Sequence, residues 1–109
     1  MAHTVGFIIA AMISAAVGGA RAQQTGDAQR GLALAREACA ECHAVIKASG
    51  RSPNANAPTF EAVAKIPGMT SMALSTALQT SHRTMPNVVI KGDDRVDVIA
   101  YILSLKDSD

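Results

Sequence analysis

From residue 27 onward the apolar positions recur at three- and four-residue spacings, which is the period of helices with one buried face. Residues 27–38 read as a helix with Asp27 as N-cap and Leu34, Ala35 and Ala38 spaced along one face. Residues 47–57 (KASGRSPNANA) break the pattern with Gly, Ser, Pro and Asn and read as a loop. Thr59 caps a short helix through Lys65, stopped by Pro67-Gly68, and Thr70 caps another over 71–80 with Leu74, Ala77 and Leu78 on one side. Met72, near Leu74 and Leu78, reads as a core-filling side chain of that helix. A second loop, 81–92, contains Met85-Pro86-Asn87. The last helix starts near Asp93, carries Asp93 and Asp94 in its first turn, where negative charge is favourable, and runs to about Lys106. Val98, Tyr101, Ile102 and Leu105 share a face, widened by Val96, Ile99 and Leu103. The pattern contains no strand of any length. It predicts an all-α domain of about four short helices whose loops are long for the helices they join.

One apolar stretch stands apart from this pattern. Residues 5–17 (VGFIIAAMISAAV) are apolar except for Gly6 and Ser14, and Ala20-Arg21-Ala22 follows at the spacing of a signal-peptidase site. The stretch is shorter than the roughly 20 residues needed to span a bilayer. It predicts a signal peptide over 1–22, an exported domain over 23–109, a periplasmic location, and no membrane span after processing. The chain has 109 residues, enough for one domain. Its 10 Lys+Arg and 9 Asp+Glu become equal in number once Arg21 is removed, and that balance argues against nucleic acid as a partner.

The domain has no Trp, and Phe60 and Tyr101 are its only aromatics. So short a chain is already poor in buried surface, and it lacks the large side chains that usually fill a core. A bound macrocycle would fill the middle.

Cys39-Ala40-Glu41-Cys42-His43 has the C-x-x-C-H spacing of haem attachment and uses both cysteines of the chain. Two thiols three residues apart reach the two vinyl groups on one porphyrin edge, and the adjacent imidazole points at the iron from one face. The motif therefore predicts one covalent haem c held by Cys39 and Cys42, with His43 as an axial ligand. Competing readings are weaker. A thiol–disulfide site needs a βαβ context that the pattern lacks. Zinc needs a fourth ligand, for which His82 is the candidate, at a spacing that matches no finger.

The second axial position has Met69, Met72, Met85 and His82 as possible donors. Met85 is the best placed, because it lies in a loop and Pro86 biases it toward extended backbone. His82 or an open site remain the alternatives. A thioether favours Fe(II), and a six-coordinate iron leaves no place for substrate, so His43 and Met85 together imply an electron carrier rather than an enzyme. A five-coordinate or labile iron would instead imply a gas sensor or a peroxidase-like protein.

Gly26-Asp27-Ala28-Gln29-Arg30-Gly31 followed by the haem motif resembles the opening of class I c-type cytochromes. Asp97-Val98-Ile99-Ala100-Tyr101-Ile102 resembles their C-terminal helix, with the Met-Pro loop between. The resemblance implies that fold, wrapped around one haem, and single-electron transfer. It implies a close helix crossing of Gly31 with Tyr101, and a Pro carbonyl that accepts a hydrogen bond from the proximal His, with Pro58 as the candidate and Pro53 in reserve. Ala35 stands where the family commonly has a larger side chain, which implies looser packing there. Ala57-Pro58-Thr59-Phe60 with His82-x-x-Met85-Pro86-Asn87 is similar to small bacterial cytochromes that serve periplasmic dehydrogenases. The partners this implies are redox proteins, with a dehydrogenase as donor and an oxidase or another cytochrome as acceptor, met by a monomeric shuttle.

Overall fold

The structure, a computed structural model, describes residues 25–80, 84–85 and 88–107. The signal-peptide reading of 1–22 and the cleavage point after Ala22 lie outside the described residues, as do His82, Pro86 and Asn87. Among the described residues there are four helices and no strand: α1 (Ala28–Ala38), α2 (Phe60–Ala64), α3 (Ser71–Gln79) and α4 (Gly92–Ser104). None of them is long and apolar enough to cross a membrane.

Local chemistry starts three of the four. Asp27 Oδ1 accepts the N–H groups of Gln29 and Arg30 at 2.9 and 3.1 Å, satisfying donors that the first turn of α1 leaves unpaired. Thr59 Oγ1 does the same for Ala62 at 3.0 Å in α2, and Thr70 Oγ1 for Ala73 at 3.2 Å in α3. The fourth helix has no side-chain cap. It opens on Gly92, whose φ of 54° an L side chain would resist, and it carries Asp93 and Asp94 in its first turn.

The core is a crossing of α1 on α4, with α2 and α3 also packed against α4. Two glycines permit the crossing. A Cβ at Gly31 would fall on the Asp97 carbonyl and come within 2.8 Å of the Tyr101 Cβ, so the expected meeting of Gly31 with Tyr101 is present. Gly26, just ahead of the Asp27 cap, makes a second close approach, against the Val96 carbonyl and within 2.9 Å of the Ala100 Cβ. Val98, Tyr101, Ile102 and Leu105 of the α4 segment are buried against Ala35, Phe60, Ala64 and Leu74. Ala35 is fully shielded from solvent, so its small side chain does not leave the crossing open.

One reading is corrected. Met72 does not fill the core; it is 78% exposed on the outer side of α3, while Leu74 is buried. Residues two apart on a helix face opposite ways, and Leu74 pairs instead with Leu78 four residues on.

Candidate haem site

The end of α1 does not unwind at its last helical residue. Cys39 donates its N–H to the Ala35 carbonyl at 2.9 Å, and Cys42 and His43 donate to the Cys39 carbonyl at 3.2 and 2.9 Å. This extra turn brings Cys39, Cys42 and His43 to one wall of an apolar cavity of about 330 Å³. That is within the size range of small-molecule and cofactor sites. Pro58, Phe60 and Val63 line it from the loop and α2, Leu74, Ala77 and Leu78 from α3, and Ile102 from α4. Met85, half-buried, lines the same cavity.

The loop after the motif folds back on it. Asn54 donates its backbone N–H to the Cys42 carbonyl at 3.1 Å, and Phe60 donates to the Ala44 carbonyl at 3.0 Å. His43 Nδ1 lies 2.6 Å from the Pro58 carbonyl oxygen. A carbonyl only accepts, so Nδ1 carries the proton and Nε2 keeps its lone pair for a metal. Pro53, the reserve candidate, is exposed. The Phe60 ring packs tilted on His43 at 5.5 Å between centroids and on Tyr101 at 6.4 Å. The Tyr101 hydroxyl donates to the Val45 carbonyl. Burial pushes the Tyr101 hydroxyl pKa up, with Arg36 acting in the opposite sense.

The other end of the loop is clamped by Glu61. Its Oε2 accepts the N–H of Ala48, a residue at φ 60°, at 3.0 Å, and its Oε1 accepts from Lys65 Nζ at 2.9 Å. These two hydrogen bonds, the Lys65 one first, hold the Glu61 carboxyl below the usual range, and burial opposes them.

The donor set fits a haem better than its rivals. Burial pushes the Cys39 thiol pKa up, the opposite of an activated redox thiolate. No three His, Cys, Asp or Glu side chains among the described residues form a metal cluster. An apolar slot bearing two thiols and an imidazole with one nitrogen committed to Pro58, with a thioether also on its lining, suits a covalent iron porphyrin. Of the other Met candidates, Met69 packs half-buried against the core away from the cavity lining, and Met72 faces solvent. His82 lies outside the described residues. Sequence reasoning quoted Gly26 only as part of the opening motif and missed its close approach to α4. It also missed Asp97 and Ser52, whose partners are distant.

No family model and no solved structure matches the chain. A curated relative does: cytochrome c-552 of Bradyrhizobium diazoefficiens is 37% identical over 81 residues, which span 73% of this chain and 76% of the relative. Identity at that level over most of both chains, together with the all-helical fold, shows that the chain belongs to the class I c-type cytochromes, proteins that carry a covalently bound haem c.

Proposed function

We propose that this chain is an exported, monomeric, single-electron carrier, with Cys39 and Cys42 as the haem thioethers and His43 and Met85 as the axial ligands. The observation that supports this most is the His43–Pro58 pair at 2.6 Å within the cavity that Met85 also lines. Bound haem c supplies a one-electron Fe(III)/Fe(II) couple. The residues around it do the rest. Pro58 fixes the imidazole tautomer and raises its basicity. Met85 would offer its thioether as the second iron ligand, which would favour Fe(II) and leave no place for a substrate. Phe60, Leu74 and Ile102, all buried, give that cavity apolar walls.

Residues 1–22 act as the export signal and the domain works in the periplasm, taking electrons from a dehydrogenase and passing them to an oxidase or another cytochrome. Such exchanges use small, weak contacts. The test is colour and carbon monoxide. The purified protein should keep its haem through acid–acetone extraction and show one added haem by mass, and Cys39→Ser with Cys42→Ser should release it. The reduced protein should not bind carbon monoxide at neutral pH. Ready binding would replace the carrier with a sensor or a peroxidase-like protein.

A further inference from the structure

The segments on either side of His43 are tied down almost entirely by backbone. Cys42 is held through its carbonyl by the Asn54 N–H, and Ala44 through its carbonyl by the Phe60 N–H. The ring is held by the Pro58 carbonyl. The Ala44 N–H, next in the chain after His43, goes instead to a side chain: Ser52 Oγ accepts it at 3.0 Å. Ala44 is buried, 7% exposed, so its amide needs a partner inside the protein. Pro53 steers Ser52 toward extended backbone, and Ser52 is half-buried.

We infer that Ser52 is a positioning residue for the iron-binding imidazole, acting through the Ala44 amide. The inference rests on His43 being the axial ligand. The peptide joining His43 to Ala44 sets where the ring begins, and the Pro58 carbonyl sets where it ends. With the Ser52 hydroxyl in place, both ends are fixed and the ring plane has one orientation. Without it, the Ala44 amide turns toward another acceptor and the peptide carries the ring with it. The bond from Nδ1 to Pro58 then lengthens. The imidazole becomes a poorer donor, Fe(III) loses more than Fe(II), and the reduction potential rises.

The experiment compares Ser52→Ala and Ser52→Thr as haem-loaded proteins with the unaltered one. Two readouts report the iron rather than the fold: the reduction potential, and the paramagnetically shifted haem-methyl resonances of the oxidised protein, which follow the axial ligand planes. Ser52→Ala should raise the potential and move the resonances, and Ser52→Thr, which keeps the hydroxyl, should restore both. Ser49→Ala removes a hydroxyl of the same loop that bonds only the Ile46 carbonyl, at 2.7 Å, and should move neither. A haem-loaded Ser52→Ala protein with unmoved resonances and potential overturns the inference even if it melts earlier. Amide exchange on the unaltered holoprotein decides the matter where Ser52→Ala does not accumulate. The Ala44 N–H should exchange slowly, and exchange as fast as an exposed loop amide overturns the assignment. Mass and extraction test haem attachment separately, so failure of the ligand reading and failure of this one are told apart.

Discussion

Asp97 Oδ1 accepts the backbone N–H of Asp27 at 2.7 Å, so α4 secures the residue that itself caps α1. Asp27 spends its side chain on Gln29 and Arg30 and has none left for its own N–H. Asp97, 5% exposed, supplies that acceptor from across the crossing. Arg30 sits 3.1 Å from Asp97 Oδ2, close enough to offset the buried charge though off a hydrogen-bonding line. Hydrogen bonds to charged groups are worth about 1.5–3 kcal/mol, so Asp97→Ala should cost about that much in guanidinium unfolding of the holoprotein. Asp97→Asn keeps an acceptor and should cost less. The Arg30 side chain is 62% exposed, and Arg30→Gln should stay within about 1 kcal/mol.

Gly31→Val should push α1 off α4. Its Cβ has the Asp97 carbonyl and the Tyr101 Cβ in its way, and backbone cannot move aside as the tip of a long side chain can. Overpacking of this kind costs about 1–3 kcal/mol or more, read as a lowered melting temperature. Gly26→Ala should do the same just ahead of the Asp27 cap, against the Val96 carbonyl. An unchanged melting curve for both would mean that the two helices do not cross there.

What could be read from the sequence was what is decided locally. Asp27, Thr59 and Thr70 announce helix starts because a cap bonds a backbone group two or three residues away. That Cys39, Cys42 and His43 share one wall could be read for the same reason, since residues this close in the chain lie within one turn. The crossing of Gly31 with Tyr101 came from family resemblance, because nothing near Gly31 distinguishes a close approach from a weak helix position. Asp97 and Asp27 are 70 residues apart, and Ser52 meets Ala44 through a loop whose path no local pattern dictates. Met72 was misplaced because both faces of α3 carry apolar residues, and a two-residue step from Leu74 turns a side chain outward.

Glu61→Gln should loosen the 48–61 clamp in a pH-dependent way. The folded-state pKa of Glu61 is lowered, by Lys65 first and then by the Ala48 N–H. Its contribution is therefore present above the unfolded carboxylate pKa and is lost as pH falls through the lower, folded value. Holoprotein stability should differ between the parent and Glu61→Gln at neutral pH, and the gap should close in acid. A gap that stayed constant with pH would show that the Glu61 charge contributes nothing to the clamp.

Met85→Ala decides between a closed and an open iron. Met85 is the one methionine among the described residues that lines the cavity with His43, and under the proposed ligation its removal would take away the thioether's preference for Fe(II). The oxidised protein should lose its weak long-wavelength sulfur-to-iron charge-transfer band, the reduced protein should begin to bind carbon monoxide, and the reduction potential should fall. Met72→Leu should change none of these, because Met72 is exposed on the far side of α3. If His82→Ala altered the spectrum and Met85→Ala did not, the iron would be held by two histidines. Its potential would then be lower and its redox partners different. If neither substitution mattered, the distal position is open in the native protein. The electron carrier would then give way to a protein that binds a small ligand at its iron.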